Sequence, residues 1–259
     1  MNRIDQVFDR LKVRKEKALI PFITCGDLSI EDTAELVVKL EASGANIVEI
    51  GVPFSDPLAD GKVIQESYSR ALKNGTKVKD VFRCVELIRK KSQVPVILMI
   101  YFNVVFCRGV DLFLQEAKKN GVDGIIIPDL PLEERKEIIE SCENNCVYLI
   151  PLVAPTSKER IKSITQGTKG FVYCVSSNGI TGERSQLNKE VNEYLDTVKE
   201  LVEIPICLGF GISSREVVKE VKAYCDGVIV GSAVVKRMVK SKKEVCSFLE
   251  ELREELDLK

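Results

Sequence analysis

Apolar and polar positions alternate along this chain in two periods. Short runs rich in Ile and Val fall at Ala18 to Thr24, Asn46 to Ile50, Pro95 to Tyr101, Gly124 to Ile127, Cys146 to Leu152, Gly170 to Val175, Ile204 to Gly209 and Gly227 to Val230. Between them the apolar residues take helical spacing, at Ser29 to Ser43, Lys62 to Lys73 with Val78 to Lys91, Asp111 to Asn120, Leu132 to Glu143, Ser157 to Gln166, Lys189 to Val202, Ser213 to Ala223 and Ser241 to Leu256. Residues 2 to 14 read as a leading helix with Ile4, Val7, Phe8 and Leu11 on one face. Near-continuous apolar strands, each followed by a helix, describe parallel strands buried on both faces, because a parallel connection needs a crossover element. Eight such units close most economically into a single (β/α)8 TIM barrel with an extra N-terminal helix. An open doubly wound sheet is the alternative, and no Gly-rich dinucleotide loop follows the first strand to favour it.

Composition narrows the function. The 259 residues match the roughly 250 of one such barrel, so a single domain over 1–259 is expected. With 45% hydrophobic and 30% charged residues and a formal net charge of -1, neither nucleic acid nor an anionic membrane is an expected partner. No apolar run approaches the roughly 20 residues of a membrane span, and the first residues lack a signal peptide's apolar region, which predicts a cytoplasmic protein. Nine cysteines lie scattered, mostly within apolar runs, as reduced thiols do. Only Cys142 and Cys146 are close in sequence, and they lack a second pair with zinc-ligand spacing. The chain has no histidine, which removes Ser-His and Cys-His nucleophiles and His-ligated metals.

The chemistry then falls to carboxylates at the strand ends. Glu49 stands one residue from the end of the second run, and Asp60 lies beyond a loop stiffened by Pro53 and Pro57. An inward Glu49 would be desolvated, with its pKa raised toward neutrality. A strand-end Glu paired with a lysine is the plainer reading, as is Asp60 as cap of the following helix. Glycines after the last three strands, in 176–182, 209–213 and 231–233, suit backbone binding of a phosphate at the corner where barrels commonly hold one. None of the strand runs carries an interior lysine for a Schiff base. The residues point to acid/base chemistry without a cofactor on a phosphorylated substrate.

Several segments carry a family resemblance: Pro21-Phe22-Ile23-Thr24 with Gly26-Asp27, the whole of Glu49 to Gly61, Pro128-Asp129-Leu130-Pro131, Ala154-Pro155-Thr156-Ser157, Tyr173 with Gly179-Ile180-Thr181-Gly182, Gly209 to Ser213, and Gly231-Ser232-Ala233. In these the chain resembles the tryptophan synthase α-subunit family from its leading helix to its last. The resemblance implies a lyase of tryptophan biosynthesis that cleaves indole-3-glycerol phosphate into indole and glyceraldehyde 3-phosphate. It implies no cofactor or metal on this chain, and an α₂β₂ complex whose β subunit carries pyridoxal phosphate. It assigns catalysis to Glu49, as proton carrier, and Asp60, as anchor of the indole N–H. It gives Phe22, Tyr101 and Ile127 to the indole slot, Tyr173 to the glycerol portion, and Gly182, Gly211, Gly231 and Ser232 to the phosphate. Residues 176–188 correspond to a lid that brings Thr181 onto Asp60, and Asp56 to a partner-facing position. Cys25, Leu28, Lys62 and Ser177-Asn178 depart from the family pattern, away from every residue given a proton or phosphate role. A free-standing lyase and a non-catalytic regulatory subunit are the alternatives.

Overall fold

Parallel pairing of short, mostly buried strands organises the structure, a computed structural model that describes residues 1–176, 184–209 and 211–258 (side chains of 184–188 excepted). The strands are β1 (Ala18–Thr24), β2 (Val48–Gly51), β3 (Val96–Met99), β4 (Gly124–Ile126), β5 (Tyr148–Leu149), β6 (Leu152–Val153), β7 (Val172–Val175), β8 (Ile206–Gly209) and β9 (Gly227–Val230). Their order is β5-β4-β3-β2-β1-β9-β8-β7-β6, all parallel. The two ends of that order, β5 and β6, are halves of one extended segment. Its first half pairs with β4, where the Ile150 N–H donates to the Ile125 carbonyl at 2.9 Å. Its second half pairs with β7, where the Tyr173 N–H donates to the Pro151 carbonyl at 2.9 Å. Pro151 has no N–H to continue the ladder, so the expected fifth strand is split while still closing the ring.

The helices are α1 (Arg3–Arg14), α2 (Ile30–Ala42), α3 (Lys62–Lys73), α4 (Val78–Arg89), α5 (Phe102–Arg108), α6 (Val110–Asn120), α7 (Lys136–Asn145), α8 (Ile161–Thr165), α9 (Arg184–Leu201), α10 (Arg215–Val221), α11 (Ser232–Met238) and α12 (Lys242–Asp257). Two were invisible in the pattern. In α5 only Val105 is buried, which leaves no amphipathic stripe. The seven-residue α11 runs its apolar positions straight on from β9. The helices expected over 132–143 and 157–166 instead open with 3-10 turns, Leu132–Glu134 and Pro155–Arg160.

Strand side chains alternate between two packing layers. Ile20, Phe22, Ile47, Ile97, Met99, Ile126, Ile150, Phe171, Tyr173 and Ile229 fill the barrel interior. Their neighbours, among them Leu19, Ile23, Val48, Ile50, Leu98 and Ile125, pack in the other layer with apolar residues of α2, α4 and α6. Helix α1 contributes its apolar face to the interior cluster, with Phe8 and Phe171 ring centroids 5.6 Å apart. Asn2 caps α1, accepting from the Ile4 N–H at 2.9 Å, and its own amide donates to the Asp123 carbonyl at 2.9 Å. The buried Asp123 carboxylate gathers Arg3 (2.9 Å), Arg89 (2.8 Å) and the Val96 N–H (2.9 Å), tying α1 and α4 to the strand starts.

Candidate active site

Register puts Glu49 inside the barrel. It lies opposite Phe22 of β1 and Ile97 of β3, both members of the interior layer, and is 1% exposed. Among the described residues no lysine or arginine pairs with it, and its Oε1 has no hydrogen-bond partner. Burial, and secondarily the charge of Asp60, push its pKa up to about 8. The plainer reading of a surface ion pair therefore fails.

Asp60 does not cap α3. The N-cap is Gly61, and the Asp60 carboxylate instead turns to Tyr101 at the end of the β3 run, whose hydroxyl donates to Oδ2 at 2.6 Å. That hydroxyl also accepts the Ala59 N–H at 3.1 Å, so one phenol fixes both backbone and side chain of the loop. Phe54 stacks on the Tyr101 ring at 4.9 Å between centroids. The Asp60 N–H donates to the Pro57 carbonyl at 3.0 Å, closing the turn at the second proline. Burial lifts Asp60 to about 6, with the Tyr101 hydrogen bond acting in the opposite direction. The two carboxyls thus titrate in different ranges, as an acid and an ionised partner require.

Close backbone approach shapes the rest. A Cβ on Gly51 would lie 2.5 Å from Phe22 Cζ, and one on Gly209 would lie 2.4 Å from Tyr173 Cε1, so the aromatic rings sit directly on strand backbone. Gly211 has φ +80°, a conformation glycine adopts without penalty. Gly231 precedes α11, 3.8 Å from Phe22 Cβ when given a Cβ, and Ser232 opens that helix. Phe22 thus lies in β1 and Tyr173 in β7, while Tyr101 follows β3 and Gly211 follows β8.

One expected residue lies elsewhere. Ile127 packs in the layer shared with the helices, whereas Ile126 belongs to the interior, because alternation from Gly124 turns every second residue inward. Thr181 and Gly182 fall outside the described residues. Sequence reasoning passed over Met99, Ile126 and Tyr68 as interior residues. The signal for Tyr68 was present, since it lies on the buried stripe Ile64, Ser67, Tyr68 and Ala71 of α3. Among the described residues no group of three or more His, Cys, Asp or Glu side chains is arranged to hold a metal. A groove of about 1430 Å³ runs around α1 at the opposite end, lined by residues such as Arg3, Asp123 and Arg135 and by neither Glu49 nor Asp60.

Comparison with known proteins agrees with this geometry. The family model for the tryptophan synthase alpha chain matches residues 8–258. A tryptophan synthase alpha chain from Clostridium beijerinckii is 64% identical over 257 residues, covering 99% of this chain and 100% of the relative. The crystal structure of tryptophan synthase subunit alpha from Legionella pneumophila strain Paris superposes with a TM-score of 0.93 at 36% identity, covering 99% of both chains. A Mycobacterium tuberculosis tryptophan synthase structure does so with a TM-score of 0.91 at 34% identity, covering 100% of this chain and 99% of that one. A full-length match in sequence and in fold, around an interior Glu and a loop Asp, means that the chain belongs to the tryptophan synthase alpha chain family.

Proposed function

We propose that this chain is the lyase subunit of tryptophan synthase, cleaving indole-3-glycerol phosphate to indole and glyceraldehyde 3-phosphate within one barrel domain over residues 1–259. The observation that carries this reading is the pair of carboxyls at the barrel mouth, Glu49 buried among the interior side chains and Asp60 held by Tyr101, with burial pushing the first up to about 8 and the second to about 6. At neutral pH the first is protonated and the second ionised.

The proton cycle needs no other acid. Glu49 gives its proton to the indole ring carbon that bears the side chain, which leaves a positively charged indolenine. Asp60, ionised and held by Tyr101, accepts a hydrogen bond from the ring N–H and stabilises that charge. The Glu49 carboxylate then takes the proton of the side-chain hydroxyl as the carbon-carbon bond breaks. The carbonyl of glyceraldehyde 3-phosphate forms, the bonding pair returns to the ring, and Glu49 ends protonated as it began. Phe22, Tyr101 and the interior Ile126 and Met99 line the indole side, and Tyr173 the glycerol side. Backbone N–H groups at Gly211, Gly231 and Ser232, with Gly182, hold the phosphate, as first-turn N–H groups have no partner within their helix.

Indole passes to a β subunit in an α₂β₂ complex, where pyridoxal phosphate resides on the partner. Leu58, 93% exposed next to Asp56 on the same loop, and Phe106, 64% exposed on α5, suit a partner-covered surface. Among the described residues no helix is long and apolar enough to cross a membrane, and the proposed setting is the cytoplasm. The test is indole production from indole-3-glycerol phosphate by the isolated chain, with and without β subunit. Slow turnover alone that rises on adding the partner is expected. Equal, fast turnover in both would mark a free-standing lyase, and no turnover in either would end the reading.

A further inference from the structure

Tyr68 stands behind the proposed acid and has no role in the cycle above. It belongs to α3, the helix that leaves the Asp60 loop, and its side chain is 0% exposed within the barrel's interior cluster. Among the described residues its hydroxyl has no hydrogen-bond partner. Its location follows from Gly51: a Cβ there would lie 2.7 Å from the Tyr68 oxygen. Gly51 is two residues beyond Glu49 on β2, so the two residues share the inward face of the strand. Glu49 Oε1 is likewise a buried oxygen without a hydrogen-bond partner among the described residues. Buried polar atoms are seldom left without partners, and exceptions in a site call for a functional cause. A glycine at 51 is what lets the phenol reach the strand, since any larger residue would collide with it.

We infer that Tyr68 is the positioning residue of Glu49, its hydroxyl donating to the carboxylate that forms when Glu49 delivers its proton. This rests on the proposed role of Glu49. The bond forms by rotation of the flexible Glu49 side chain. Tyr68 keeps the proton it would donate: burial first, then the charges of Asp60, Tyr101, Glu49 and Tyr173, hold its own pKa well above the usual phenol range. Among the described residues the titratable groups that act on Glu49 are Asp60 from the loop, Tyr68 from α3 and Tyr173 from β7, with Tyr101 beside Asp60 and Tyr68, and Cys207 beside Tyr173. All are acids, so a hydrogen-bond donor is the available means of stabilising the transient carboxylate.

The test is Tyr68→Phe, which keeps the ring in place, alongside Glu49→Gln. Removing a donor to a charged group should lower kcat on the order of ten- to a hundredfold with KM little changed. The Glu49 pKa should rise, read from its side-chain carbon signal in an NMR titration of the free protein and from an alkaline limb of kcat/KM moved to higher pH. A merely structural tyrosine would lower stability without moving either titration. If Tyr68→Phe leaves the Glu49 titration and kcat unchanged while Glu49→Gln is inactive, the inference is overturned and the function stands. If Glu49→Gln remains active, the reading of Glu49 falls and this inference with it.

Discussion

The Tyr101 hydroxyl donates to Asp60 Oδ2 at 2.6 Å across 41 positions of sequence, and this bond works against the burial that raises the Asp60 pKa. Glu49, the more deeply buried, has no donor to Oε1 among the described residues and rises to about 8, whereas Asp60 has one and rises to about 6. Because the bond favours the ionised form, Tyr101→Phe should raise the Asp60 pKa by about one unit. An Asp60 that must be ionised then loses activity from higher pH downward. The acid limb of kcat/KM is expected to shift up accordingly; an unmoved limb would show that the phenol does not control Asp60.

Glu49→Gln should abolish indole release, on the order of a thousandfold or more, since the amide carries no transferable proton at the ring carbon. Near-UV circular dichroism and the affinity for glycerol phosphate should be retained. Turnover equal to that of the parent chain would sink the assignment. Asp60→Asn should cost a few kcal/mol of transition-state stabilisation, as for other charge-stabilising groups.

The same burial that tunes Glu49 should lower stability. Its pKa is near 4.5 when unfolded and about 8 when folded, so between those values the unfolded chain ionises and the folded one keeps its proton. Stability therefore falls as pH rises through that window and levels off above it. Glu49→Gln removes this loss, and the variant should exceed the parent by a few kcal/mol at pH 8 and above but not at pH 4. Urea unfolding at the two pH values measures the difference, and a gap independent of pH would contradict it.

At the other end of the barrel, Asp123 is 3% exposed and offsets the desolvation that pulls Arg89 down to about 10. Asp123→Ala strands a largely buried guanidinium and the Val96 N–H, and should destabilise the fold by about 3–5 kcal/mol. Activity per folded molecule should be unchanged, because the residue is remote from the carboxyl pair. Thermal unfolding with parallel indole assays separates the two effects.

Much of this molecule is legible in its sequence. Apolar runs alternating with helical stripes dictate parallel strands and crossovers, and the apolar face Ile4, Val7, Phe8 and Leu11 announces the helix that packs on the interior. The span from Glu49 to Gly61 exposes both acids and their prolines directly. What sequence cannot resolve is which way a residue points when both faces of a strand are buried. In Gly124-Ile125-Ile126-Ile127 no polar residue marks the outside, so choosing Ile127 for the interior was open to a one-residue error that flips the face. The split at Pro151 and the short α5 and α11 likewise depend on ladder bonds and local burial, not on periodicity. Contacts between distant segments, Tyr101 with Asp60 and Tyr68 above Gly51, arise only when the ring of strands closes. The sequence by itself determined the two acids and the barrel that carries them; tertiary structure decided their environments, because a pKa is set by burial and by neighbours that the chain brings in from afar.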